Sequence, residues 1–174
     1  TKTEIQAYDC GTRIHPRFPN QQNLPTQKPT LSDVIKVTET VPLLDGGTVR
    51  YNLEIKYRPD LEPEFCPDVE TFASLVLQEL DQLGIADRSC IQSFSPEVME
   101  AVHRMAPNMT VAWLTETPGP IVTQLNRLTF QPDIYSPDWH LIDANDVYNL
   151  QKVGIRVIPW TVNNQEDLYS VMQM

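Results

Sequence analysis

The sequence predicts an α/β protein whose strands run parallel, and two features of its layout favour a barrel over an open sheet. Short apolar segments alternate with amphipathic helical segments, so consecutive strands cannot pair as hairpins; crossover units of this kind build parallel sheets. No glycine-rich turn follows any strand, as a dinucleotide site in an open doubly wound sheet requires. Polar residues recur at the C-terminal strand ends instead: Glu54 and Lys56, Gln92 and Ser93, Ser136, Thr161 and Asn163. In a closed barrel those ends carry the chemistry, whereas about eight strands and about 250 residues make up a full barrel. About five βα units fit into these 174 residues. The expectation is therefore one α/β domain over 1–174, an incomplete (β/α)8 barrel cut at both ends, with residues 1–29 as a loop excursion and 30–174 as βα units.

The segment that organises the rest is Val49 to Tyr57, in which apolar and polar residues alternate with the period of a strand. Val49, Tyr51, Leu53, Ile55 and Tyr57 share one face, and Arg50, Asn52, Glu54 and Lys56 the other. A half-solvated antiparallel sheet turns such a polar face to water, whereas a parallel barrel turns it into the lumen.

The remaining elements follow from local signals. Thr3 to Tyr8 reads as a helical turn, and the segment after Asp9-Cys10-Gly11 holds Pro16, Pro19, Pro25 and Pro29 without periodicity, the mark of a functional loop or an excursion. Thr30 with Asp33 is a cap for a helix through Leu31, Val34, Ile35 and Thr38, ending near Thr40. Asp45-Gly46-Gly47 then turns the chain into the first strand. Asp68 to Leu83 is a helix with Phe72, Leu75, Val76, Leu80 and Leu83 at helical spacing, stopped by Gly84. Cys90 to Phe94 is a strand, followed by Ser95 as cap, Pro96 at the first helical position, and Val98, Ala101, Val102 and Met105 as the buried stripe. Met109 to Leu114, Asp133 to Ser136 and Ile155 to Val162 are further strands. Helices are expected over Ile121 to Leu128, from the cap Asp143 through Val147, Leu150 and Val153 to Gly154, and after Asn163 or Asn164 through Leu168 and Val171.

Composition limits the function classes. A hydrophobic fraction of 41% and a charged fraction of 21% are those of a chain that folds. A net charge of −10, with thirteen Lys and Arg spread thinly, argues against a nucleic-acid surface. An anionic substrate then needs a local cation or a metal. Cys10, Cys66 and Cys90 have no spacing suited to zinc and read as ordinary thiols. No apolar run is long enough for a membrane span, and the N-terminal residues lack the features of a signal peptide. Because residue 1 is threonine, the true N-terminus is expected upstream, which leaves the compartment and the oligomeric state open.

Four stretches, in this order, resemble the glycerophosphodiester phosphodiesterases, (β/α)8-barrel hydrolases of the phospholipase-C-like phosphodiesterase type. They are Tyr51-Asn52-Leu53-Glu54-Ile55-Lys56, similar to the family's "NxEIK" strand; Ile91-Gln92-Ser93-Phe94, similar to its "QSF" strand; Tyr135-Ser136-Pro137-Asp138; and Val157 to Asn163, similar to its "VxxWTVN" strand. The resemblance implies metal-dependent hydrolysis of a glycerophosphodiester to glycerol 3-phosphate and an alcohol. It makes Glu54 a ligand of a divalent cation, Ca2+ or Mg2+, and Lys56 the catalytic cation that meets the phosphate. Gln92, Phe94 and Trp160 become substrate-binding residues, the two aromatics walling the alcohol. Hard cations prefer carboxylate oxygen, and a metal with a lysine neutralises charge developing on a phosphodiester.

The family's "HRG", "ExD", "HD" and "GxDGIxTD" segments are absent, and with them the general acid and base histidines and the other metal carboxylates. His15, His103 and His140 read as structural, so this chain by itself is expected to be inactive. A non-catalytic barrel that binds a phosphorylated small molecule is the alternative. A Schiff-base role for Lys56 is disfavoured, because Glu54 two residues away keeps the amine charged. Glu54 and Lys56 also read as a plain solvated pair, and Trp160 as a core residue.

Overall fold

A computed structural model describes residues 1–44 and 46–174. Asp45, where the expected turn into the first strand begins, lies outside the described residues. Two compact units divide the chain, Thr1–Val49 and Arg50–Met174.

The first unit holds two short helices. α1 (Lys2–Gln6) and α2 (Leu31–Thr38) each begin with a capping box, from Thr1 with Glu4 and from Thr30 with Asp33. These boxes satisfy amide donors that a helix start leaves unpaired. Between the helices runs the expected irregular segment, and it is pinned at its neck. The Asp9 carboxylate accepts the backbone N–H groups of Gly11 (2.9 Å) and Thr26 (3.0 Å) and the Thr12 hydroxyl, while Cys10 N–H donates to the Thr26 carbonyl at 2.8 Å. Position 11 accepts only glycine, because a Cβ there would stand 1.9 Å from the Leu24 carbonyl oxygen.

The second unit contains the α/β layers. β1 (Tyr51–Glu54), β2 (Ser89–Ser93), β3 (Thr110–Thr115), β4 (Ile134–Pro137) and β5 (Arg156–Val157) form one sheet in sequence order, every neighbouring pair parallel. Between and after them lie α3 (Val69–Gln82), α4 (Pro96–Met105), α5 (Ile121–Leu125), α6 (Ala144–Lys152) and α7 (Gln165–Met172). This is an incomplete (β/α)8 barrel, its sheet not closed.

Register assigns the two faces of the sheet. Leu53, Ile91 and Val111 are in line, as are Ser93 with Trp113 and Trp113 with Tyr135. Trp113 turns to the helix layer, since its indole N–H donates to the Gln124 carbonyl of α5 at 3.2 Å. Ile91 and Trp113 are fully buried there, as are Val98 and Val102 of α4. The alternate residues point the other way, with Glu54, Gln92 and Ala112 in one row and Ile134 beside Arg156 in the next pair. The polar face of β1 is thus turned away from the helices, towards the side that a barrel encloses.

Several boundaries differ from expectation. β1 keeps only Tyr51–Glu54 of the alternating run, although Ile55 N–H still donates to the Gln92 carbonyl at 2.9 Å. Beyond it the Tyr57 amide turns back to the Ile55 carbonyl, which takes the run out of the ladder. β5 likewise has two ladder residues where a longer strand was expected. Ile158 and Trp160 N–H nevertheless donate to Tyr135 and Pro137, and Trp160 bridges Asp138 in parallel. α5 stops three residues short of Leu128.

The buried faces of the helices also differ. In α3 the buried residues are Ala73 and Leu80, and Leu75 is exposed; in α4 Met99 joins the stripe and Met105 leaves it. Helix ends match the local signals. Ser95 Oγ accepts Val98 N–H at 3.2 Å, Asp68 accepts Thr71 N–H at 2.9 Å, and Gly84 and Gly154, at φ +66° and +83°, supply the left-handed conformation after α3 and α6. Among the described residues no helix is long and apolar enough to cross a membrane.

Candidate active site

At the C-terminal end of β1 the Lys56 ammonium lies 2.7 Å from Glu54 Oε2. The two share a face because they are two residues apart along an extended chain. Their surroundings differ: the Glu54 side chain is 22% exposed and that of Lys56 78%. Next to Glu54, in register, is Gln92, whose side-chain oxygen accepts the Asn52 amide at 2.9 Å. That bond fixes the orientation of the Gln92 amide and presents its NH2 group.

A cavity of about 460 Å³ opens on these residues, lined among others by Glu54, Lys56, Tyr57, Arg58, Phe94 and Glu116. Its other polar groups are mostly engaged. The Arg58 guanidinium is held by Asp60 at 2.6 Å. The Tyr57 hydroxyl donates to Glu62 at 2.5 Å, and this bond pushes its ionisation up to about 12. The Phe94 and Trp160 rings meet edge to face, centroids 5.5 Å apart, and the Trp160 indole N–H donates to the Ser136 carbonyl at 3.0 Å. Trp160 is therefore held from β4 and from Phe94, just past β2, as well as from its own segment.

Two of the polar strand-end residues are committed elsewhere. Ser93 Oγ donates to the Ile55 carbonyl at 2.8 Å and Ser136 Oγ to the Ile158 carbonyl at 2.5 Å, so both hydroxyls tie neighbouring strands together. The three histidines have local partners. His15 lies against Phe18, His103 stacks on Phe130 with centroids 3.8 Å apart, and His140 Nδ1 is 2.7 Å from Asp138. The turn N–H of His140 and then its ring hold the Asp138 carboxyl below its ordinary range. None of the three lines the cavity.

Glu116 was missed by the sequence reading. The signal was there: it lies two residues beyond Leu114, on the alternation that places Ala112 in the row of Glu54. As a metal ligand Glu54 offers a hard carboxylate of the right kind, yet among the described residues no group of three His, Cys, Asp or Glu could hold an ion. Glu54 fits as one ligand of a set that these residues do not complete.

Comparisons with known proteins agree with this layout. The model of the glycerophosphoryl diester phosphodiesterase family matches residues 1–174. A glycerophosphodiester phosphodiesterase of Bacillus subtilis (strain 168) is 24% identical over 182 residues, covering 99% of this chain and 58% of that protein. A crystal structure from Silicibacter pomeroyi DSS-3, assigned to the same kind of enzyme, superposes with a TM-score of 0.80 at 22% identity, over 99% of this chain and 61% of the other. A phosphodiesterase of Oleispira antarctica, in complex with its product sn-glycerol-3-phosphate, superposes at 0.71 with 17% identity, over 99% and 63%. The chain thus spans about three-fifths of the proteins it matches. With its whole length matched by the family model, this chain belongs to the glycerophosphoryl diester phosphodiesterase family.

Proposed function

We propose that the protein containing this chain hydrolyses glycerophosphodiesters, releasing glycerol 3-phosphate and an alcohol, with a divalent cation, Ca2+ or Mg2+, held in part by Glu54. The observation that carries this reading is the Glu54–Lys56 pair, on the face away from the helices and at the mouth of a cavity walled by Phe94. The Oleispira phosphodiesterase of the same fold, with sn-glycerol-3-phosphate bound, supports the substrate class. When bound, the cation polarises a phosphoryl oxygen and neutralises negative charge on it.

The chain's own residues supply the rest. Lys56 is exposed enough to move its ammonium from Glu54 to a substrate phosphate, where a fixed positive charge favours the more negative transition state. Gln92, oriented by Asn52, directs its NH2 group at a substrate oxygen. Phe94 and Trp160 form an apolar wall along the leaving alcohol.

The test is release of glycerol 3-phosphate from glycerophosphocholine by the purified protein, with Ca2+ or Mg2+ and with a chelator. Metal-dependent release is expected. Tight binding of glycerol 3-phosphate without turnover would instead favour a non-catalytic binding protein, a reading to which the positions of the three histidines lend weight.

A further inference from the structure

We propose that Glu116 sets the specificity of this cavity, favouring diesters whose alcohol carries a positive charge, an amino or quaternary-ammonium alcohol, over those with a neutral one. The inference rests on the hydrolase reading above and names the class of alcohol it acts on. The charges at the cavity are paired off, with one exception. Lys56 faces Glu54 and Arg58 faces Asp60, while among the described residues no hydrogen bond or ion pair engages Glu116.

Its position in the sheet is informative. Glu54, Gln92 and Ala112 stand in one row. Lys56 and Phe94 follow the ends of β1 and β2, two residues beyond Glu54 and Gln92, and Glu116 follows the end of β3, four beyond Ala112, so on a rise of roughly 3.3 Å per residue Glu116 stands at the outermost level. Substrate phosphate against Lys56 would send its alcohol past Phe94 towards Glu116 at the rim.

Glu116 is badly placed to share the cation of Glu54. Two strand spacings and four residues of rise put their Cα atoms roughly 16 Å apart, which two extended glutamate side chains with metal–oxygen bonds of about 2.5 Å do not span. Phe94 is 38% exposed and perpendicular to Trp160, which leaves aromatic surface open beside the carboxylate. Aromatic surface with an unpaired carboxylate is the chemistry that recognises a substituted ammonium ion, by cation–π attraction and by charge.

The experiment compares kcat/KM for glycerophosphocholine and for glycerophosphoglycerol, whose alcohol is neutral, in the full protein and in its Glu116→Gln and Glu116→Asp variants. The unmodified protein should prefer the choline diester. Glu116→Gln should lower the ratio of the two kcat/KM values roughly five-fold, the weight of one exposed charge pair, through KM and not kcat; Glu116→Asp should recover part of it. An identical ratio in the unmodified protein and Glu116→Gln overturns the inference. Failure to release glycerol 3-phosphate from either diester overturns the hydrolase reading instead. The role of Glu116 is then read from titration with choline alone, followed by tryptophan fluorescence. Saturation that is weakened by Glu116→Gln supports it, and titrations that match, or no binding at all, overturn it.

Discussion

Lys56 Nζ and Glu54 Oε2 are 2.7 Å apart, yet the carboxylate is largely covered and the ammonium largely open. A half-exposed ion pair of this kind contributes about 0–1 kcal/mol to stability, a small part of what holds the fold together. The proposed roles separate under mutation of the full protein. Glu54→Gln should weaken Ca2+ or Mg2+ binding in a calorimetric titration, and added metal should restore part of its activity. Lys56→Met should keep metal affinity near that of the unmodified protein and lose on the order of a hundred- to thousand-fold in rate, which metal cannot restore. Equal rescue of both variants, or of neither, would reduce the pair to a structural one.

The 174 residues alone should bind the divalent cation poorly and release no glycerol 3-phosphate. Glu54 supplies one carboxylate, a hard divalent ion takes about six or more oxygens, and no histidine lines the cavity for proton transfer. Turnover by the purified 174-residue chain above a protein-free control would show that its own residues include the acid and base.

Trp113 is the large side chain on which the helix layer closes. It is fully buried on β3, its indole N–H is bonded to Gln124, and the Arg127 guanidinium lies 5.2 Å from its ring centroid. Trp113→Ala should cost about 3–5 kcal/mol in urea unfolding, from lost burial and the cavity left behind. Trp113→Phe removes the donor and less volume and should cost distinctly less. Equal losses would mean that the hydrogen bond, not the packing, is what matters.

The parallel order, the helix caps and the polar face of β1 were legible in the sequence because each depends on neighbours along the chain. Ser95 caps the helix that it precedes, and Glu54 and Lys56 share a face through strand alternation alone. What was not legible depends on partners far away. The Ser93 hydroxyl looked like a site group until the sheet placed the Ile55 carbonyl 2.8 Å from it. Ile155 to Val162 reads as one long strand because it is rich in β-branched and aromatic residues, yet only Arg156 and Val157 pair as strand, and beyond them Ile158 and Trp160 keep single hydrogen bonds to Tyr135 and Pro137. Alternation through Ala112 and Leu114 puts Glu116 on one face of its strand, but its place at the cavity depends on register with β2, which no local pattern reveals.

The cysteines should sort by burial when alkylated under native conditions. Burial pushes the Cys90 thiol up to about 11, with the Arg156 charge opposing, so very little thiolate exists at neutral pH. Cys66 is buried and its thiol donates to the Arg58 carbonyl at 3.6 Å, whereas Cys10 is exposed. Because the thiolate is the nucleophile, iodoacetamide at pH 8 should label Cys10 first and the other two only after denaturation. Peptide mapping that finds Cys90 modified as fast as Cys10 would contradict its placement on β2.

Acid should open the neck of the loop between Asp9 and Thr26. Bonds from the Thr12 hydroxyl and from the Thr26 and Gly11 amides hold the Asp9 carboxyl down to about 2, against an ordinary 3.8. A depressed carboxyl stabilises the closed neck wherever it is ionised in both forms, hence fully above about pH 4. That contribution is lost as the pH falls from about 4 through about 2, where Asp9 becomes protonated even in the closed form. The Thr26 amide, which donates to Asp9, and the Cys10 amide, which donates across the neck, should therefore exchange faster over this interval, after correction for the intrinsic rate. Asp9→Asn keeps one acceptor oxygen but no charge, so its exchange should already be fast at pH 4 and should change little on further acidification. Protection of Thr26 that is equal in the two proteins at pH 4 would show that the neck is closed by its backbone bonds and that the Asp9 charge does not contribute.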